Sequence, residues 1–413
     1  MNAMRLAGVR RYLSGALATT SLLLFLPDPP ALPALTDSHF RAVLDLAGGP
    51  LRFELTLSGS PNYSGGALCN GRQCEAFSSV VQRGDSLFLK MADYAATITL
   101  TRRGDSLVGV YRNVGNRGPR VIPLRASPGR WTTTTVPRPL VGRWDAMFTT
   151  DFRSSPRVFE FRDGTGGLEA AIIGNTGDYG HFWGQATGDS VTLYRFDGAF
   201  VYMLTARLAR DTLRGTFHAG LRSQTPFVAV RSTGRQHLVP PDQLTRADSA
   251  PFGFAFPSVD GGIVSSQDAR FRGKVLVVDI FGTWCPTCHE AAPTLVDLYR
   301  TRQARGLEIV GLAYEVSGDS AVDGALVRRY RDKFQIPFPL LLAGINDTEA
   351  AAATQPQLKG FAAFPTTLFI GRDGKVRRVH AGFYGPATGP AHGALIEDFR
   401  RTVDALLAEP TPN

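Results

Sequence analysis

A chain of 413 residues is longer than one ordinary domain, so two or three separate cores are expected. With 43% hydrophobic, 20% charged and 10% aromatic residues, the composition excludes wholesale disorder, a collagen-like repeat and a polytopic membrane protein. The formal charge of +9 is spread along the chain without a run of five or six like charges, so it reads as a solvated basic surface and not as a nucleic-acid footprint.

The chain opens with Arg5, Arg10 and Arg11, followed by an uncharged, mostly apolar stretch from Tyr12 to Leu26 and then by prolines and small residues. This pattern predicts a signal peptide over residues 1–34, with an uncleaved N-terminal anchor as the alternative. The expected destination is an oxidising compartment outside the cytoplasm, the periplasm.

From residue 38 to 235 short alternating apolar runs are separated by Gly, Asp, Asn and Ser, the grammar of antiparallel strands and tight turns. The segment repeats itself. Gly84-Asp85-Ser86-Leu87-Phe88-Leu89 is echoed by Gly188-Asp189-Ser190-Val191-Thr192-Leu193, and Asp105-Ser106-Leu107 by Asp211-Thr212-Leu213. Two related all-β units are predicted, 38–131 and 139–235, each a small barrel or sandwich of six to eight strands. In the first, Cys69 and Cys74 flank Asn70-Gly71, a turn signal, and the spacing allows a structural disulfide at a hairpin tip. His181 and His218 read as surface or strand residues, and no catalytic set stands out in this half.

Residues 236–251, with Pro240-Pro241, read as a linker, after which strands alternate with helices to about residue 410. Lys274 to Phe281 is a near-continuous apolar run, as in a strand buried on both faces. Gly282-Thr283-Trp284-Cys285-Pro286-Thr287-Cys288 follows, then a helical pattern from His289 to about Arg302. A cysteine at a helix N-terminus meets unpaired N–H groups and the positive end of the macrodipole, which stabilise a thiolate. Cys288, one turn later on the same face, is placed to attack a mixed disulfide on Cys285. Pro286 suits the first turn, where its missing donor costs nothing.

Residues 250–410 resemble the exported TlpA-like thiol–disulfide oxidoreductases of the thioredoxin superfamily. The elements that carry the likeness are Trp284-Cys285-Pro286-Thr287-Cys288, Pro293 within the following helix, and Phe364-Pro365-Thr366-Thr367 before a strand and the turn Arg372-Asp373-Gly374-Lys375. The resemblance implies an α/β thioredoxin-like fold over residues 252–410. It implies that Pro365 is cis and faces the cysteines, and that Trp284, Pro286, Thr287, Phe364 and Pro365 form the substrate cleft. It also implies that Asp279 handles the proton of Cys288; a buried carboxyl there has a raised pKa and can act as a general base. The family often has a glutamate three residues after the second cysteine, where this chain has Ala291; Glu290, one residue earlier, reads as a solvated helix position.

The expected activity is therefore exchange of electrons with protein disulfides through the Cys285–Cys288 dithiol, in the reductive direction. The pair itself is the redox centre and no cofactor or metal is expected; the expected partners are protein disulfides or dithiols and an upstream electron donor. Two alternatives remain open. Cys285-Pro286-Thr287-Cys288-His289 also satisfies the attachment signature of c-type haem, with His289 as axial ligand, whereas the thioredoxin-like reading makes His289 an exposed first-turn residue. The β-half is alternatively a ligand-binding module with the redox part as its accessory. Peroxidase chemistry fits the residues before Cys285 less well, and copper delivery through Cys285, Cys288 and His380 fits the cysteine spacing less well.

Overall fold

Alternation of apolar and polar residues over Ser38–Leu46 turns Phe40, Ala42, Leu44 and Leu46 to one buried face, and the same period recurs through most of the N-terminal half. The computed structural model describes residues 37–115, 118–132, 134–150, 154–164 and 166–410; the expected signal segment 1–34 lies outside the described residues.

The first unit comprises β1 (Ser38–Leu46), β2 (Gly49–Ser58), β3 (Gly65–Asn70), β4 (Gln73–Ala76), β5 (Ser79–Arg83), β6 (Ser86–Met91), β7 (Ala96–Arg103), β8 (Ser106–Gly115) and β9 (Gly118–Pro128). They form one nine-stranded sheet in the order β4-β3-β2-β1-β9-β8-β7-β6-β5. The second unit comprises β10 (Gly142–Thr149), β11 (Ser154–Gly164), β12 (Gly167–Gly174), β13 (Gly177–Thr187), β14 (Ser190–Phe196), β15 (Val201–Ala209), β16 (Thr212–Ala219) and β17 (Ser223–Arg231). These run up and down in sequence order and close into a barrel where β10 pairs with β17.

The two units are the same design with one difference. The edges of the first sheet, β4 and β5, are separated only by Phe77 and Ser78. The Phe77 N–H donates to Gly66 on β3, whereas that of Ser78 donates to Lys90 on β6, at 3.0 and 2.8 Å. One strand thus transfers from one neighbour to the other. In the closed barrel the corresponding strand, β13, is 11 residues long and pairs with both β12 and β14. The expectation of six to eight strands per unit therefore holds for the second, while the first counts nine because one strand is broken. The repeated Gly-Asp-Ser segments make the same hairpin turn, with Gly84 and Gly188 at φ of 56° and 60°, a region that L side chains rarely adopt.

Inside the closed barrel Trp144, Phe159, Phe161, Phe182, Leu193 and Leu213 fill the lumen. On its outer wall Trp183, Tyr194, Phe196, Val201 and Met203 enter the core of the first unit. Strand β14 is therefore apolar on both faces, and the two units share an interior. Asn70 at the tip of β3 locks them edge to edge, accepting from the Phe196 N–H at 2.9 Å and donating to its carbonyl at 2.6 Å.

The stretch 236–251 holds a helical turn, Pro241–Leu244, and the pair Arg246–Ala247, which bonds to Leu358–Lys359. Beyond it lie β18 (Val275–Phe281), α1 (Pro286–Arg302), β19 (Leu307–Glu315), α2 (Ser320–Phe334), β20 (Leu340–Ile345), α3 (Thr348–Thr354), β21 (Thr366–Ile370), β22 (Val376–Ala381) and α4 (Pro390–Leu407). The sheet order is β20-β19-β18-β21-β22, with β18, β19 and β20 parallel and β21 and β22 antiparallel to their neighbours. Its central strand, β18, is buried along its whole length. The chain thus joins an all-β half of duplicated barrel units to an α/β thioredoxin-like half.

Candidate active site

Strand β18 delivers the chain to the turn Gly282–Trp284, and α1 begins with Cys285 as N-cap and Pro286 as its first helical residue. The Cys285 N–H donates to Gly282 at 3.1 Å, and the Cys288 and His289 N–H groups turn back to the Cys285 carbonyl at 3.0 and 3.3 Å. Both cysteines are free thiols, 4% and 0% exposed. The Cys285 thiol donates to the carbonyl of Phe364 at 3.6 Å, and the Phe364–Pro365 peptide is cis. Trp284 closes the group: its indole N–H donates to Tyr314 at 2.8 Å and its ring meets Phe364 edge-on at 5.5 Å. Cys285, Trp284, Phe364 and Pro365, far apart in sequence, are thus gathered at one end of the sheet, with Pro293 inside α1.

Asp279 sits in mid-strand between Gly311 and Thr367, 4% exposed, with its Oδ1 lacking a hydrogen-bond partner among the described residues. Burial pushes its carboxyl up to about 7. Burial also drives the Cys288 thiol up, reinforced by the Cys285 thiol and by charge on Asp279. Two further residues shape this end of the sheet. Glu315, fully buried at the end of β19, accepts from the Thr283 N–H at 2.8 Å and the Thr283 hydroxyl at 2.6 Å, and so holds the turn before Trp284. Tyr330 on α2 donates to the Cys288 carbonyl at 2.8 Å.

The β-half covers this end of the redox half. The Thr287 hydroxyl, between the two cysteines, donates to the Asp178 carbonyl of β13 at 3.4 Å. The Asp178 N–H donates to Phe383 at 3.2 Å, and the Gly385 N–H donates to the Asp178 carboxylate. Gly177 packs so closely that a Cβ there would lie 2.6 Å from the Phe383 carbonyl oxygen. On the other side Lys333 pairs with Asp93 at 2.6 Å, Arg329 donates to Ala92 at 3.0 Å, and the Tyr94 ring lies 4.9 Å from that of His289.

This cover corrects two sequence expectations. His289 is not exposed: it is buried, its Nε2 bonds the Thr283 carbonyl at 2.7 Å, and Tyr94, Tyr330 and Phe334 surround its ring. Burial holds it neutral, pulling its pKa down to about 4. A ring so packed is a core histidine. Glu290 is not on a solvated face either. Its Oε2 is buried without a partner among the described residues, and burial, with Asp178 adding to it, raises its carboxyl to about 8. It belongs to a cluster contributed mostly by the barrel. Arg195, 3% exposed, donates to Asp197 at 2.7 Å and to the His181 carbonyl at 3.2 Å; burial works against its charge, but Asp197, Glu290 and Asp178 outweigh it.

His181 and His218 are strand residues of β13 and β16, both buried. His380 is buried on β22 against Phe399, and among the described residues no group of three His, Cys, Asp or Glu side chains is placed to hold a metal ion. Cys69 and Cys74 lie opposite each other on β3 and β4 and form a disulfide across the hairpin.

Fold and site together define a thioredoxin-fold module with a dithiol at the start of its first helix. Residues 245–388 match the Redoxin family. The chain is 24% identical over 161 residues to the thiol-disulfide oxidoreductase ResA of Halalkalibacterium halodurans, covering 39% of this chain and 78% of that protein. It is 30% identical over 112 residues to the ResA of Geobacillus thermodenitrificans, covering 27% of this chain and 57% of the relative. A solved thiol:disulfide interchange protein from Chlorobium tepidum TLS is 29% identical and aligns over 40% of this chain and 98% of its own, with a TM-score of 0.30. The C-terminal half is thus a TlpA-like thiol–disulfide oxidoreductase domain of the thioredoxin superfamily.

Proposed function

We propose that Cys285 and Cys288 are the cycling pair and that the protein reduces disulfides of protein substrates in an exported location. The observation that carries this reading is the helix N-cap thiol held against the carbonyl of Phe364, the residue before Pro365. In the reaction the Cys285 thiolate attacks one sulfur of a substrate disulfide, forming a mixed disulfide and releasing the first substrate thiolate. Ionised Asp279 accepts the proton of Cys288, whose thiolate then attacks Cys285 Sγ and releases the second substrate thiol. Two electrons pass to the substrate, leaving the Cys285–Cys288 disulfide to be reduced by an upstream dithiol donor. Trp284, Pro286, Thr287, Phe364 and Pro365 shape the cleft around the reacting sulfurs.

The reductive direction is supported by the surroundings of Cys288. Burial, with the Cys285 thiol and charge on Asp279 adding to it, pushes the Cys288 thiol up and so disfavours a thiolate-stabilised reduced form, the feature that makes a strong oxidant. A couple closer to about −270 mV than to about −120 mV is expected. Export is supported by the basic and apolar N-terminal pattern and by the Cys69–Cys74 disulfide, a bond that persists in oxidising compartments. The test is insulin reduction with a dithiol donor: turnover by the wild type and none by Cys285→Ser is expected, and activity that survives the substitution overturns the assignment.

A further inference from the structure

Between the two β-units and the redox half lies a cavity of about 440 Å³, bounded by Tyr94 from the turn after β6, Arg120 from β9, Phe200 and Tyr202 from the β14–β15 hairpin, Arg222 before β17, and Trp284. Its position is informative because Trp284, which lines it, directly precedes Cys285. The cavity therefore ends at the residue next to the dithiol, and most of its wall belongs to the half that has no redox chemistry of its own.

The wall has a definite chemistry. Phe200 and Tyr202 stack at 4.7 Å and, with Tyr94 and Trp284, offer aromatic surface. Among the described residues the charged ones that line it are Arg120 and Arg222, and no carboxylate is among them. Arg120 is held in place, donating to Asn113 at 2.8 Å and to the Ala199 carbonyl at 2.9 Å, while Arg222 is exposed at the rim. An aromatic chamber with a basic rim is complementary to a large apolar side chain accompanied by a carboxylate. The volume fits one such side chain with the backbone beside it.

We infer that the β-half supplies the substrate-recognition pocket of the enzyme, and that the preferred substrate is an extended peptide segment whose disulfide-bonded cysteine has an aromatic residue on one side and an acidic residue on the other. This inference rests on the dithiol reading above and names its substrate class. With the aromatic side chain seated beside Trp284, the neighbouring cysteine is delivered to Cys285. The Cys285 thiolate takes that sulfur as the mixed disulfide and expels the other peptide thiolate, and Cys288 completes the two-electron exchange.

The test uses the full chain, reduced, with model peptides joined by one disulfide and centred on Phe-Cys-Asp, Ala-Cys-Ser or Phe-Cys-Lys, and with bis(2-hydroxyethyl) disulfide as a substrate too small to fill the pocket. The expected result is a kcat/KM for Phe-Cys-Asp at least about tenfold above either other peptide. Arg222→Glu, at an exposed rim position, is expected to reverse the preference between Asp and Lys, and Ala199→Trp, at a position that lines the cavity, to remove the preference for Phe; neither should change turnover of bis(2-hydroxyethyl) disulfide. Equal rates on all three peptides, or a preference for the small disulfide over every peptide, overturn the pocket assignment while leaving the dithiol reading intact, provided that Cys285→Ser abolishes turnover. Small-disulfide turnover that survives Cys285→Ser, or its complete absence in the wild type, overturns both.

Discussion

Asp279 and Glu290 are acids of the same helix–strand neighbourhood with opposite histories. The burial of Asp279 was legible through the family resemblance, because this residue of an apolar strand run, six before Cys285, matches a buried acidic position of thioredoxins. Glu290 was not, because the charged groups that act on it, Asp178 and Arg195 of the barrel, lie about a hundred positions away in sequence. Its signal was absent from any local window. The same holds for His289, whose aromatic cage draws on Tyr94 of the first β-unit. For Asp279 the chemistry gives a prediction. Only its ionised form can accept the Cys288 proton, and that form predominates above about pH 7. The rate of mixed-disulfide resolution should therefore rise through pH 7 in the wild type. Asp279→Asn should slow this step about a hundredfold and flatten the rise, as read by stopped-flow release of the second substrate thiol. An unchanged pH profile in the variant removes Asp279 from the mechanism.

At the scale of elements, repetition made the β-half readable and irregularity hid the rest. The Gly-Asp-Ser turns and their offset spacing marked two related units, since turn chemistry is local. The break at Phe77 and Ser78 could not be read, because whether one strand pairs with two neighbours or hands over between them depends on partners distant in sequence. Nor could the apolar outer wall of β14 be separated from an inward one, as both faces of that strand are buried. The hairpin β3–β4 beside the break is the element its disulfide protects. Closing so short a loop stabilises the folded state by about 2 kcal/mol. Cys69→Ala together with Cys74→Ala should lower the unfolding free energy by about that amount in denaturant titration and leave bis(2-hydroxyethyl) disulfide turnover unchanged. Loss of that turnover in a folded variant would assign the pair a redox part.

For the whole molecule, the strand, dithiol, helix and Phe-Pro-Thr order already pointed to the α/β half, whereas the docking of that half against the barrels had no sequence signature. Docking has a measurable consequence in pH. Burial lowers His181, His289 and His380 to about 4, below their unfolded value near 6.5, so their contribution to stability is complete above about pH 6.5 and is lost as pH falls toward 4. Burial raises Asp279 and Glu315 to about 7 and Glu290 to about 8, so their contribution is complete below about pH 4 and is lost as pH rises through 7 to 8. Between about pH 4.5 and 6.5 the three histidines and the three acids offset one another. The thermal midpoint should be level there and fall as pH rises through 7 to 8, and Glu290→Gln should shallow that decline; a midpoint that climbs steadily to pH 9 contradicts this balance.

In the proposed reaction the Cys285 sulfur meets the substrate and that of Cys288 releases it. Mass spectrometry of the reduced Cys288→Ser chain after mixing with a disulfide-bonded peptide tests this directly. Trapping of one peptide half on Cys285, with no adduct in Cys285→Ser, is the predicted result. Absence of an adduct on Cys285, or an adduct of equal yield on Cys288 in the Cys285→Ser chain, would contradict it.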